Sequence, residues 1–330
     1  MAKVLTVGLH VADVLGRYVS AIPEGQGIAL LDEIRLTVAG TAAATAVNLA
    51  KLGVSVDTVG VVGDDALGEF MSRTMTSAGV GCDRLRVSPT HPTSATMLPI
   101  RPDGSRPALH VIGSNAALTA DDVPDEALDG VEVLHLGGSC LLPGIDGAPS
   151  ADLLRRAKER GITVTMDFIP TGAASDPDAL LPCFPYVDYV LPSLEDALSF
   201  AGASTRQEAI DFYLDAGVST VIITMGGEGV SISTRESIDE RLQAYEVDVV
   251  DTTGCGDAFS AGLIAGLVEG ASVTEAAELG IACGSLVATG LGSDAGIVDR
   301  TSLSEFREAT PLAVSGVTLP PAAVPSPVWG

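Results

Sequence analysis

Positive charge is scarce in this chain: 18 Lys and Arg stand against 43 Asp and Glu over 330 residues, a formal net charge of −25. A nucleic-acid backbone is held by clustered cations that displace counterions, so nucleic acid is excluded as a partner. Long apolar runs are also missing. Asp, Arg, Gly or Pro interrupts every candidate before the ~18 residues needed to span a bilayer, and no membrane partner is expected. The first apolar stretch, at 4–9, is shorter than the ~7–15 residues of a secretory leader and runs through Gly8 into His10 and Asp13. The protein is therefore expected in the cytoplasm. Cysteine is sparse and unpatterned. Cys82, Cys140, Cys183, Cys255 and Cys283 form an odd set with no CxxC spacing, which suggests neither a disulfide framework nor a zinc site. All five are expected to be reduced and structural. No Gly-Lys pair occurs, which excludes a Walker-type phosphate loop. What the chain has in quantity is apolar residues, 46% of the total against 18% charged. That is too apolar for disorder and enough for a large core.

Short β-branched runs alternate with longer helical patterns from residue 3 to about 290, the signature of a parallel sheet covered by helices. The pattern predicts strands at 4–9, 56–62, 131–136, 163–167, 186–191 and 220–224. Helices are expected to start near Thr41, Ala66, Ser150, Asp178, Ser193, Thr205, Gly254 and Ser272, several behind a capping hydroxyl. The fold class is a doubly wound α/β sandwich. Two segments, 17–38 and 94–112, break the rhythm with extended, Gly- and Pro-punctuated sequence, and together they read as a small β-sheet lid over the carboxyl edge of the sheet. The domain is drawn as 1–310. Residues 311–330 carry five prolines and no period, so an extended, loosely held tail is expected there.

The strongest local signal lies at 249–262, where two valines end a strand, Asp251-Thr252-Thr253-Gly254-Cys255-Gly256-Asp257 forms a polar turn, and an Ala/Leu-rich helix follows at once. The amides of Gly254, Cys255 and Gly256 then sit at a helix N-terminus, where free donors and the helix dipole favour an anion. Asp257 places a carboxylate in the same spot. Either it caps the helix, as acidic first-turn residues commonly do, or it takes a proton from a hydroxyl attacking a phosphoryl group.

This DTTGCGDAFSAG stretch closely resembles the second signature of the ribokinase/PfkB family of carbohydrate and nucleoside kinases, with Cys255 the one departure from its core. Ala39-Gly40-Thr41 through Leu52-Gly53 resembles the first signature, Thr224-Met225-Gly226-Gly227-Glu228-Gly229 resembles the turn that approaches the nucleotide, and Gly113-Ser114-Asn115-Ala116-Ala117-Leu118 resembles a further family element. The resemblance implies a ribokinase-like sandwich and transfer of the γ-phosphoryl group of ATP, with Mg²⁺, to a primary alcohol. It makes Asp257 the general base and Gly254, Cys255 and Gly256 the anion hole. It further implies that Thr224, Gly226, Gly229, Ser193 and Asp196 serve the nucleotide, with Asp196 organising Mg²⁺ through water. Asp251 and Thr253 match a monovalent-cation site, so K⁺ is a candidate cofactor. Asp13, Gly40, Thr41, Ala44 and Asn115 fall at substrate-facing positions.

Departures from the family pattern matter equally. Ala44 stands where the first signature has an Asn, which removes donors and an acceptor from the expected sugar pocket. Ser193 and Asp196 replace the Asn and Glu of the magnesium motif, keeping a hydrogen-bonding group and a charge on a shorter arm. The turn at 101–106 is either a solvated hairpin tip or the carrier of Arg101 or Arg106 over the substrate, where an arginine reads an anionic group. His10, just past strand one, is placed to face substrate, while the other histidines read as structural. The leading expectation is a sugar kinase that forms a homodimer through the lid. A nucleoside kinase of the same family, or a non-catalytic metabolite-binding protein, is the alternative.

Overall fold

The computed structural model describes residues 3–102, 105–170 and 177–313. Its first half runs β1 (Val4–Gly8), β2 (Val11–Arg17), β3 (Glu33–Ala39), α1 (Thr41–Lys51), β4 (Val56–Gly63), α2 (Ala66–Ala78), β5 (Gly81–Ser88), β6 (Ala95–Ile100), β7 (Leu109–Val111) and β8 (Val133–Ser139). It continues with α3 (Ala148–Glu159), β9 (Thr163–Phe168), α4 (Pro177–Leu180), β10 (Tyr189–Val190), α5 (Leu194–Ala201), α6 (Arg206–Asp215) and β11 (Thr220–Thr224). Last come β12 (Val230–Ser233), β13 (Glu240–Leu242), α7 (Cys255–Val268), α8 (Val273–Val287) and α9 (Arg300–Ala309).

Nine strands form the main sheet in the order β13-β12-β11-β10-β9-β8-β1-β4-β5. They are parallel from β5 to β11, and β12 and β13 close the other edge antiparallel. Because successive side chains point to opposite faces, each strand feeds two cores. Leu5, Val7, Leu134, Leu136, Val164 and Met166 pack against α3, α5 and α6, whereas Val4, Val56, Val62 and Val133 pack against α1, α2, α7 and α8. On the first face Phe168, Phe184, Phe200 and Tyr213 form an aromatic cluster of tilted, edge-on and stacked contacts with centroids 4.8–6.2 Å apart. Reciprocal caps start several helices: Thr205 with Glu208, Ser272 with Glu275 and Asp299 with Ser302.

The expected doubly wound sandwich is present, with a second sheet of four strands in the order β3-β2-β6-β7. The lid begins earlier than the sequence pattern predicts, because β2 is its central strand. It pairs antiparallel with β3 from Val11↔Ala39 to Arg17↔Glu33 and parallel with β6 from Ala12↔Ala95 to Arg17↔Ile100. The sequence pattern ends strand one at residue 9 and assigns 10–16 to no element, whereas in the structure 11–17 form β2. One face of the lid turns inward through Asp13, Leu15, Thr96, Leu98 and Ile100; the other carries Ile34, Leu36, Met97, Leu109 and Val111 into solvent. Sequence patterning also missed α9 and the strands β5, β12 and β13. Of the expected tail, 314–330 lie outside the described residues, but its first residues are docked: Glu246 N–H donates to the Pro311 carbonyl at 2.9 Å and Ala313 N–H to that of Ala244 at 2.8 Å. No described helix is long and apolar enough to cross a membrane.

Candidate active site

A cavity of about 650 Å³ lies between the carboxyl ends of the strands and the inner face of the lid, and it gathers residues from every part of the chain. Beside it is a smaller cavity of about 180 Å³ under β11, β12, α7 and α8. Thr224, Thr252 and Gly256 line both, so the two open onto one another at the start of α7.

That start is built by local sequence. Gly254 is the N-cap of α7 with φ +74°, and a Cβ there would lie 2.3 Å from that of Ser293, so only glycine fits. Ala258 N–H closes the first helical bond to the Gly254 carbonyl at 2.8 Å, while Cys255 N–H points back to the Thr252 carbonyl at 3.4 Å. Of the three amides, that of Cys255 is thus already engaged, whereas those of Gly254 and Gly256 have no hydrogen bond among the described residues. The Cys255 side chain is half-buried and lines the smaller cavity, and desolvation pushes its thiol up to about 12. This corrects the expectation that all three amides act alike. Asp257 opens onto the large cavity, and among the described residues its carboxylate carries no hydrogen bond, not even to the helix cap. The capping alternative is therefore unsupported by this geometry. Burial raises Asp257 to about 6, with the Arg106 guanidinium pulling the other way.

Asp251 stands behind this turn. Its Oδ1 accepts from Thr253 N–H at 2.9 Å and Thr253 Oγ1 at 2.7 Å, and its Oδ2 from Gly292 N–H at 3.0 Å. Fully buried, it braces the loop through three accepted hydrogen bonds, two at Oδ1 and one at Oδ2. On the opposite wall, Asp196 N–H donates to Ser193 Oγ at 3.1 Å and Ser193 Oγ donates to Asp196 Oδ2 at 2.6 Å, capping α5. Burial raises Asp196 above the usual carboxylate range. With Glu195 and Asp167 it forms a wall of hard oxygen donors suited to Mg²⁺. Among the described residues no three such groups converge closely enough to hold a metal alone, so this wall fits a cation shared with phosphate and water.

The expected substrate residues divide. Asp13 lines the cavity from a lid strand and is 6% exposed, not a solvated loop residue. Thr96 hydrogen-bonds one carboxylate oxygen, while Oδ1 has no partner, and burial raises the group to about 7. Gly40 (φ +90°) turns the chain into α1, and Thr41 follows with its buried hydroxyl unpartnered at the cavity wall. Four expectations fail. Ala44 is fully buried and does not line the cavity, because it sits one turn inside α1 against the core. Asn115 spends its side chain on the backbone of His10, accepting from its N–H and donating to its carbonyl, both at 3.1 Å. Arg101 is exposed on the lid connection and bonded to Ser105 at 3.3 Å, while Arg106 is the one that lines the cavity. His10 does not face substrate either. Its ring is fully buried over Gly60, bonded to Gly8 O at 2.9 Å and Thr58 Oγ1 at 3.0 Å, and desolvation lowers it to about 4.

Sequence reasoning overlooked Asp167, Glu195, Thr96, Thr252 and the substrate side of His110, all of which line the large cavity. Asp167 is the penultimate residue of β9; burial and the nearby Asp257 and Asp196 hold it well above its ordinary range.

A family model described as pfkB family carbohydrate kinase matches residues 1–300. An ATP-dependent ribose-1-phosphate kinase from Halopiger xanaduensis is 30% identical over 294 residues, covering 87% of this chain and 92% of the relative. A ribokinase from Haemophilus influenzae is 26% identical over 276 residues, 82% of this chain and 87% of its own. Among solved structures, a ribokinase from Thermotoga maritima superposes with a TM-score of 0.78 at 24% identity, over 93% of this chain and 100% of the other.

Proposed function

Because the chain belongs to the pfkB family of carbohydrate kinases, we propose that it transfers the γ-phosphoryl group of ATP to a primary hydroxyl of a small sugar, with Asp257 as general base. The observation that carries this reading is the position of Asp257: an unbonded carboxylate in the first turn of α7, on the same cavity as the free amides of Gly254 and Gly256. Raised to about 6, it is mostly ionised at neutral pH yet basic enough to accept a proton as the hydroxyl attacks. The amides face the charge that builds on the transferring group. Asp13, with one oxygen unpartnered, accepts a hydrogen bond from a sugar hydroxyl; the smaller apolar cavity, bordered by Val247, Val249, Phe259 and Ile281, suits the nucleotide base. A ribokinase II-type protein from E. coli with the same fold has been solved in complex with ATP and Mg²⁺. Here Asp196, Glu195 and Asp167 would hold the ion, which when bound offsets phosphate charge.

The deciding experiment is acceptor-dependent ADP release with Mg²⁺ over D-ribose, D-fructose, ribose 1-phosphate, keto-deoxy sugar acids and nucleosides, with and without K⁺. The reading expects one sugar class to stand out. Release above background for none of them sinks it; a nucleoside outpacing all sugars replaces it with the nucleoside alternative.

The homodimer belongs to the same proposal. Strand register places Leu36, Val14, Met97 and Leu109 in one row across the lid, flanked by Ile34 and Val111, an apolar face that a second copy covers isologously. Sedimentation velocity is expected to show a dimer that Leu36→Lys with Leu109→Lys converts to monomer. A wild-type monomer at micromolar concentration overturns it.

A further inference from the structure

Strand register lines up four polar residues in one row across the lid: Thr37 lies opposite Asp13, Asp13 opposite Thr96, and Thr96 opposite His110. Side chains directly opposite one another on the same face of a sheet are close enough to interact, and in this row they do. The Thr96 hydroxyl bonds the Asp13 carboxylate, and His110 Nδ1 lies 3.1 Å from the same Thr96 Oγ1. Asp13, Thr96 and His110 all line the large cavity. The direction of these bonds follows from one end. A carboxylate only accepts, so the single hydroxyl proton of Thr96 goes to Asp13. Thr96 Oγ1 then has only lone pairs left for His110, and Nδ1 must carry the hydrogen it donates. In a neutral imidazole the other ring nitrogen is then bare. Desolvation holds His110 below its ordinary imidazole range, which favours that neutral form. Nε2 is therefore an acceptor, and among the described residues it has no hydrogen bond. Asp13 Oδ1, two strands away in the row, is in the same condition.

We infer that His110 is a specificity residue for the acceptor: its bare Nε2 and the unpartnered Oδ1 of Asp13 work as a pair, each taking the proton of a different hydroxyl of the same sugar. This rests on the kinase reading above and adds, to the Asp13 contact given there, a second one from the edge strand of the lid. One hydroxyl has one proton to give, so two bare acceptors call for two hydroxyls. The attacking hydroxyl is a third, because its proton goes to Asp257 on α7. A phosphate or carboxylate is unsuited to this face of the lid, since it would bring lone pairs to a row that offers only lone pairs. A site built to take a hydroxyl proton rejects the analogue that lacks it, because the buried acceptor is then left unpaired. A purely structural His110, tying β7 to β6, would need only its Nδ1.

Asparagine separates the two roles. Its amide nitrogen stands in for Nδ1 and can keep the bond to Thr96, while nothing replaces Nε2. The test uses the full-length protein at pH 8, where Asp13 is ionised, with the most active acceptor of the panel above and the set of its single-deoxy analogues. Wild type, His110→Asn, His110→Ala and Asp13→Asn are compared, with thermal melts to confirm folding. His110→Asn is expected to raise the acceptor KM ~5–10-fold, the loss of one hydrogen bond, with kcat and the KM of ATP within about twofold of wild type. Removing one particular hydroxyl from the acceptor should cost wild type that same factor and cost His110→Asn nothing further, whereas removing any other costs both proteins alike. Asp13→Asn should show the same pattern at a different hydroxyl. His110→Ala, which also loses the bond to Thr96, should fall at least as far in kcat/KM as His110→Asn. An unchanged acceptor KM in His110→Asn overturns the proposal. So does an equal loss on every analogue, which reduces His110 to a strut of the lid, and so does coupling of His110 and Asp13 to the same hydroxyl, which breaks the pairing. If wild type itself phosphorylates nothing, the kinase reading fails and this inference with it, an outcome distinct from an active wild type that is indifferent to the substitution.

Discussion

Asp257→Asn separates catalysis from stability in opposite directions. The substitution is nearly isosteric and breaks no side-chain hydrogen bond among the described residues, so what it removes is an ionisable, proton-accepting oxygen. Loss of a general base predicts a kcat lower by ~10²–10⁴-fold with nucleotide affinity little changed. The stability effect follows from linkage. Burial raises Asp257 from 3.8 to about 6, so the folded state holds the proton more tightly than the unfolded chain does. The folded protein loses stability relative to the unfolded one as pH rises from about 4 to about 6, and the loss is constant above that. At ~1.4 kcal/mol per pH unit this amounts to about 3 kcal/mol, an upper bound because the cavity admits water. At pH 8 the Asn variant, which never ionises, is expected to melt roughly 3–9 °C above wild type, taking ~1–3 °C per kcal/mol for a chain of this length. At pH 4 the two melts converge. Scanning calorimetry at both pH values, beside steady-state kinetics, reads both effects. A variant with near wild-type turnover refutes the assignment of the base, and a gap between variant and wild-type melts no larger at pH 8 than at pH 4 refutes the desolvation argument.

The rate should also titrate. With Asp257 near 6 and Asp13 near 7 in the unliganded protein, kcat/KM is expected to rise with pH from 5 to about 7.5 and then level, and Asp13→Asn should remove the upper inflection; a flat profile contradicts both roles. Gly254→Ala puts a Cβ 2.3 Å from that of Ser293 at φ +74°, so turnover should fall at least ~10²-fold and denaturant midpoints should drop with it; a fully stable variant means that the loop relaxes freely. Ala44→Asn places an amide in a fully buried position off the cavity, so it should cost ~1–3 kcal/mol of stability and leave the preference for a sugar over its deoxy analogue unchanged; improved discrimination would show that the side chain reaches the substrate after all.

Signals confined to one stretch of chain were readable in the sequence. The glycine turn that starts α7, the hydroxyls that cap α5, α6 and α8, and the β-branched runs of the central strands each declare themselves within a few residues. Asp167, Glu195 and His110 do not, because nothing near them is unusual. Asp167 becomes a cavity residue only when β9 takes its place in the sheet order, and His110 only when β7 pairs with β6 and its ring meets Thr96 at 3.1 Å. Misreadings ran the other way. His10 and Asn115 are chemically versatile residues near the site, yet both are consumed in fixing the turn between β1 and β2: one plugs the space over Gly60, the other clamps the backbone of the first. Versatility of side chain marks a candidate; only the count of hydrogen bonds already satisfied separates a working group from a brace.

By the same reasoning, the two signature segments form one structure. Thr45 Oγ1 of α1 donates to the Asp257 carbonyl at 3.3 Å, and Asn48 Nδ2 donates to the Ser293 carbonyl at 3.0 Å. Ser293 Oγ in turn donates to the Val38 carbonyl, and neighbouring Gly292 donates its amide to Asp251. Through these bonds α1 holds the 292–293 turn, the turn holds Asp251, and Asp251 holds the loop whose last residue, Gly254, starts α7. The lid strand β3 feeds directly into α1, so lid, first signature and the turn that starts α7 share a single hydrogen-bonded frame. A residue such as Asn48, buried and not lining the cavity, therefore braces the turn against which Gly254 packs. Substrate contact alone would not require an Asn there; the backbone of a turn more than two hundred residues away does.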